Sequence, residues 1–161
     1  MGSGALITET ALEFADALPN GGVLLGLDPG TKTIGVATCD AGWRFATNGK
    51  TLGRGKWARD KGILAELIAS REIKGIVLGL PRNMDGSEGP RAQASRALAR
   101  NCSEAFALPI LLWDERWSTQ SAEAAMIGQD MSRAKRAEAI DSHAAAVILQ
   151  GAIDRLAGGI L

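Results

Sequence analysis

The chain has no tyrosine, one histidine and two cysteines among its 161 residues, and aromatic residues make up only 4%. A single histidine, His143, leaves little material for a Ser-His-Asp triad or a histidine-rich zinc site. Cys39 and Cys102 stand far apart, outside any Cys-x-x-Cys or zinc-ligand spacing, and read as free buried thiols of a reducing compartment. Charge is balanced, with 18 basic against 18 acidic residues. That argues against a strongly basic, sequence-blind nucleic-acid coat protein, while leaving room for an enzyme with a local basic rim. No apolar run reaches the roughly 18 residues of a membrane span. No positive segment followed by an apolar one opens the chain, so a secretory signal is not expected. The cytoplasm is the expected location.

Against these absences, hydrophobic residues amount to 46%, enough for the core of one domain of ordinary size. Residues 1–22 read as an N-terminal extension and residues 23–158 as the domain. Thr8 to Leu18 has the pattern of a short amphipathic helix, stopped by Pro19-Asn20-Gly21-Gly22. Val23–Leu27 and Thr33–Thr38 read as strands joined by the turn Asp28-Pro29-Gly30-Thr31. A more polar third strand fits Trp43–Leu52. A helix follows over Lys56–Ser70, then the apolar strand Gly75–Leu80, a loop Pro81–Gly89, a helix Pro90–Leu108 and a strand Pro109–Trp113. Ser118 caps a predicted helix to about Gly128. Gln129–Arg136 reads as a polar, mobile stretch, and Ala137–Leu156 as the closing helix. Strands alternating with helices imply right-handed parallel crossovers after an antiparallel start. The expected fold is α/β: a mixed five-stranded sheet with helices on both faces and a functional crevice off the strand ends.

Three acids stand in apolar settings on separate elements. Asp28 ends the strand Leu24-Leu25-Gly26-Leu27, where a buried carboxylate is costly unless paired; an Asx-turn in a tight hairpin is the competing reading. Asp114 and Glu115 end the strand Leu111-Leu112-Trp113, and alternation sends one of them into the crevice and the other away. Asp141 shares a helical stripe with Ala144, Ala145 and Ile148, small residues that let a helix lie close to a sheet; alternatively it caps a helix starting at Ser142. Converging carboxylates suit Mg²⁺, a hard cation that prefers oxygen ligands. Two such ions about 3.5–4 Å apart serve in-line phosphoryl displacement, and this chemistry needs neither histidine nor cysteine.

With these acids in place, the chain resembles the YqgF family, also called RuvX, of the RNase H-like superfamily. The matching stretches are LGLDPGTKTIGVAT, GIVLGLPRNMDGSEGPRAQ, LLWDERWST and AIDSHAAAVIL, running in the family's order from Val23 to about Leu156. The resemblance implies an RNase H-like fold and a nuclease dependent on Mg²⁺ or Mn²⁺, with catalytic and metal-binding acids at Asp28, Glu115 and Asp141. It also implies 5′-end maturation of the small-subunit ribosomal RNA precursor; Holliday junction resolution is the older alternative. Expected partners are precursor rRNA first, branched DNA second and ribosome-assembly particles, for a monomer or weak homodimer with no membrane contact. Two positions depart from the pattern: Thr33 stands where many members have Arg, and Trp117 where the family has Leu.

Donors around the crevice extend the reading to substrate. Thr31 and Lys32 flank the first acid. Arg82 and Asn83 sit on the loop after the buried strand, with Arg91 at the start of the next helix, an arrangement able to hold phosphate. Arg116, Arg133, Lys135 and Arg136 lie beside the second and third acids. Arg54, Lys56, Arg59 and Lys61 around Trp57 offer a basic rim with a stacking aromatic, against the alternative of a solvated helix start. Two other classes remain open: an actin-like ATPase, which normally needs two such domains, and a non-catalytic module binding nucleic acid or an assembly partner.

Overall fold

The computed structural model describes residues 5–115 and 133–158, the side chains of 133–142 and 158 excepted. The strands are β1 (Ile7–Thr8), β2 (Leu24–Pro29), β3 (Thr33–Cys39), β4 (Ala46–Gly53), β5 (Gly75–Leu80) and β6 (Ile110–Asp114). The described helices are α1 (Ala11–Ala17), α2 (Trp57–Arg71), α3 (Pro90–Phe106) and α4 (Arg133–Gly158). The sheet order is β1-β6-β5-β2-β3-β4, antiparallel through β2-β3-β4 and parallel through β2-β5-β6-β1.

Composition explains these positions. β2, β5 and β6 are the apolar runs and form the centre, where both faces are covered; every residue of β5 and β6 is buried. β4, with Thr47, Asn48 and Lys50, is the exposed edge. Alternation along the strands divides the core in two. Leu24, Ala37, Val77, Leu111 and Trp113 pack under α1 and α4. Leu25, Leu27, Ile34, Val36, Ile76, Leu78 and Leu112 pack under α2 and α3.

Three expectations change. The sheet has a sixth strand, because Ile7 and Thr8 pair in parallel with Ile110 and Leu111; two residues are too short for a pattern of alternation to show. The closing helix begins at Arg133, not Ala137, so part of the stretch read as mobile is helical. Asp141 therefore lies within α4 and is not its N-cap. The predicted helix after Ser118, and Trp117, fall outside the described residues.

The long helix is fixed to the sheet at two points that set its direction. A Cβ on Gly26 would stand 2.9 Å from Leu149 Cβ and 3.3 Å from the Ala145 carbonyl oxygen, so α4 rests on β2 at its glycine. Further along, Gln150 accepts from the Ala46 N–H at 2.8 Å and donates to the Arg44 carbonyl at 2.9 Å. Ala46 is level with Cys39, and Thr38 with Leu25, so Gln150 marks the beginning of β2. Hence α4 runs antiparallel to β2, and the turn before Ala145, which carries Asp141, lies towards the Asp28 end of the strand.

Candidate active site

Asp28, Glu115 and Gly79 meet on the α4 face of the sheet. The register explains why. Gly26 and Asp28 share one face of β2, and β5 lies between β2 and β6, pairing Gly79 with Trp113 and Leu80 with Asp114. One residue on, Glu115 turns back over β5. A Cβ at Gly79 would sit 2.9 Å from Glu115 Oε2 and 3.0 Å from its carboxyl carbon, so the carboxylate occupies space that only glycine leaves open.

Glu115 is buried and in hydrogen-bond contact with Asp28. Burial first, and then the facing Asp28 charge, push its carboxyl from an ordinary 4.5 up to about 8, while the Arg91 charge pulls it back. Two carboxyls pressed together away from water cannot both ionise cheaply. At neutral pH the pair holds a proton, which a bound cation would replace.

Asp114 takes the other side. It shares the α3 face with Ile110 and Leu112, is 4% exposed, and stands 3.7 Å from Arg82. Of the two neighbouring acids, Glu115 is the one that lies beside Asp28. Asp141 belongs to the turn of α4 directed towards Asp28, and its side chain is outside those described. Among the described residues no three His, Cys, Asp or Glu side chains form a metal cluster; the geometry gives a pair.

The cationic positions divide. Thr31 and Lys32 are exposed on the β2–β3 turn. Arg91, in the first turn of α3, donates to the Pro29 carbonyl at 3.4 Å and is close enough to act on Glu115. Arg82 does not join the acid pair: its guanidinium bonds Glu9 and Glu88 beside Asp114. Asn83 is tied to Ser87 within its loop at 3.0 Å, and Asp85 accepts from the Ser87 N–H at 2.9 Å. The loop is therefore a hydrogen-bonded turn with Met84 exposed at its tip. Arg116 is outside the described residues; Arg133, Lys135 and Arg136 are placed on α4 by backbone alone. Trp57 packs edge-on to Phe106 with centroids 6.2 Å apart, half-buried against the core on the α2 and α3 side.

Two residues escaped the reading of the sequence. Gly79 looked like one more member of an apolar run; a glycine inside a buried strand does signal close approach, and here the approaching group is the Glu115 carboxylate. Arg54 was grouped with the Trp57 cluster, yet its guanidinium reaches back to the Gly30 carbonyl at 2.6 Å, beside the first acid.

A mixed sheet of this order, with facing carboxyls at the ends of its central strands, defines an RNase H-like fold. The solved structure of T. thermophilus RuvC in complex with a Holliday junction substrate superposes with a TM-score of 0.52, at 14% identity over 84% of this chain and 96% of that one. The chain belongs to the RuvX family: the family model described as "RuvX: Holliday junction resolvase" matches residues 22–155. A protein of Novosphingobium aromaticivorans named "Putative pre-16S rRNA nuclease" is 67% identical over 95% of this chain and 98% of its own length. Proteins of the same name from Sphingopyxis alaskensis and Cereibacter sphaeroides are 60% and 57% identical, each over 94% of this chain, and over 99% and 94% of their own lengths.

Proposed function

We propose that this protein is a metal-dependent endonuclease that hydrolyses phosphodiester bonds in 5′-end maturation of pre-16S rRNA in the cytoplasm. The observation that carries the reading is the Asp28–Glu115 pair, two carboxyls held face to face at the sheet end by Gly79. The choice of RNA rests on the name carried by relatives of such high identity and coverage.

The donor set fits a divalent ion: oxygen ligands only, partly buried, with a repulsion that a cation would relieve. Asp28 and Glu115, with Asp141 from the facing turn of α4, would hold Mg²⁺ or Mn²⁺. Such ions, when bound, supply activation of water and stabilisation of the leaving oxygen. The chain's own residues do the rest. Glu115 gives up its proton as the site is loaded. Gly79 keeps its carboxylate level with Asp28, and the close α4–β2 contact at Gly26 sets the distance of the third acid. Thr31, Lys32 and Arg91 approach the substrate backbone from the turn side and Asn83 from its loop, and Arg116, Arg133, Lys135 and Arg136 keep the substrate-binding role that their places in the sequence suggest. Arg82 is assigned to holding its loop, since its guanidinium is committed to Glu9, Glu88 and Asp114.

Cleavage of a 5′-extended precursor rRNA fragment and of a four-way DNA junction, with Mg²⁺ or Mn²⁺ and with Asp28→Asn as the blank, tests the reading. RNA cleavage lost in the variant supports it. Cutting of the junction alone moves the assignment to branched DNA, a reading favoured by the family description. No cutting of either, with binding of a ribosome-assembly particle unchanged when all three acids are replaced, establishes a non-catalytic module.

A further inference from the structure

We propose that the pocket between the β2–β3 turn and the start of α3 is a phosphate subsite, binding the phosphodiester next to the one that is cleaved. The inference rests on the nuclease reading and deepens it by assigning Arg54 and Arg91 as a two-arginine clamp. The pocket has a volume of about 320 Å³ and is lined by Pro29, Gly30, Thr31, Arg54, Pro90 and Arg91, with Ala94 behind them.

Both guanidiniums are oriented by main-chain carbonyls. Arg54 Nη1 donates to Gly30 O at 2.6 Å, and Arg91 Nη2 to Pro29 O at 3.4 Å. A carbonyl fixes an arginine without neutralising it, and each guanidinium has five N–H donors. The ion pairs among the described residues involve Arg59, Arg82 and Arg96; Arg54 and Arg91 take part in none of them. Two guanidiniums outside those ion pairs thus face one cavity, Arg91 also acting on the Glu115 carboxyl across the strand end, the setting for a phosphodiester. The start of α3 adds to it: Gly89 at the N-cap supplies no side-chain cap, so first-turn N–H groups remain for an anion.

Location selects a nucleic-acid backbone as the source of that phosphate. Pro29 follows Asp28 directly, and side chains alternate, so pocket and acid pair lie on two sides of the same strand end. A single strand laid across that end meets the acids with one phosphate and the arginines with a neighbouring one. Arg54 comes from the β4–α2 connection and Arg91 from α3, so the clamp is assembled only in the folded sheet.

The test is equilibrium binding of fluorescein-labelled single-stranded RNA, spanning a mature 16S 5′ end, to the full chain in EDTA. Wild type is compared with Arg54→Gln, Arg91→Gln and the double variant across salt concentrations. A second arm carries one neutral methylphosphonate, moved linkage by linkage along the RNA, and leaves the protein untouched. We expect the double variant to bind about tenfold more weakly and to lose about 0.7 from the salt slope, the value of one phosphate on a single strand. One methylphosphonate position should weaken wild type and leave the double variant unaffected. Unchanged affinity and slope in the double variant, or methylphosphonate penalties that are equal at all positions, would overturn the subsite. Should the variants fold poorly, the methylphosphonate map on wild type decides alone. An absence of cleavage in Mg²⁺ refutes the nuclease reading without touching this map, so the two failures are separable.

Discussion

Glu115 lies against the bare α-carbon of Gly79: a methyl group there would come within 2.9 Å of its Oε2 and 3.1 Å of its Cγ. The obstructed group is the far end of a side chain, so Gly79→Ala is tolerated by the fold, with a melting temperature close to wild type. The carboxylate, however, must swing away from Asp28. A displacement of about 1 Å at a reacting centre costs on the order of a hundredfold in rate. The expected result is a fall of that size in kcat at near-normal stability. Full activity in Gly79→Ala would remove Glu115 from the site.

The acid pair also makes a signed prediction about pH. Unfolded, Glu115 titrates near its ordinary 4.5; folded, burial and Asp28 push it up to about 8. Between those values the folded state binds the extra proton. Without metal, the contribution of this group to stability is therefore fully present below about 4.5 and lost as pH rises towards 8. Urea midpoints in EDTA should fall over that window, and Asp28→Asn should flatten the fall. Divalent ions reverse the dependence, because they displace the proton: affinity for Mg²⁺ should rise with pH and level off above about 8. Calorimetry in two buffers of different ionisation enthalpy should show protons released on binding at pH 6.5, and fewer at pH 9.

How much of this was visible in the chain depends on what each residue must do. Asp28 stood out because a carboxylate ending an apolar strand is costly unless paired, whereas alternation alone left Asp114 and Glu115 open and the family resemblance pointed to Glu115. The strands β2, β5 and β6 were legible as runs buried on both faces, and the Ala144–Ala145 stripe foretold a close helix. Gly26 and Gly79 were not legible as contact points, since a glycine in a strand says that something approaches, never what. The contacts of Arg82 and Arg54 were hidden for a similar reason. Sequence places both near the crevice, but only the fold brings Glu9, 73 positions away from Arg82, to one guanidinium, and the Gly30 carbonyl to the other. β1 was missed because pairing with β6, and not its own pattern, makes it a strand.

The N-terminal segment is more than a tail. Phe14 is fully buried with Leu24, Leu111 and Trp113 under α4, and β1 covers the edge of the strand that leads into Glu115. Replacing a buried phenylalanine by alanine removes its transfer energy and leaves a cavity, typically about 3–5 kcal/mol. For a chain of this length that corresponds to a drop in melting temperature of roughly 10 °C. Phe14→Ala should show it by calorimetry, and deletion of residues 1–22 should cost more, with loss of activity. A deletion as stable as the full chain would make the segment a dispensable addition to the domain.

On the α3 face, Arg82 and Arg96 converge on Glu9 and Glu88, with Asp114 behind them. Arg96 bonds Glu88 at 2.6 Å through each of two nitrogens, the forked geometry that makes arginine–carboxylate pairs specific. Arg96 first, and then Arg82, hold the Glu88 carboxyl down to about 2, against the upward pull of burial. The folded state thus keeps this group ionised where the unfolded chain, near 4.5, has begun to protonate. Its stabilisation is fully present above about 4.5 and lost as pH falls towards 2. Arg96→Gln removes the main partner, so wild type and variant should differ most above pH 4.5 and converge on acidification. Urea midpoints at pH 6 and pH 3 measure that gap. A gap of constant size would mean that Arg96 contributes packing and not charge. Because Asp114 precedes Glu115, the same variant should also lower cleavage at neutral pH, by a few-fold at most, through loosening of the β6 end and not through lost contact with substrate.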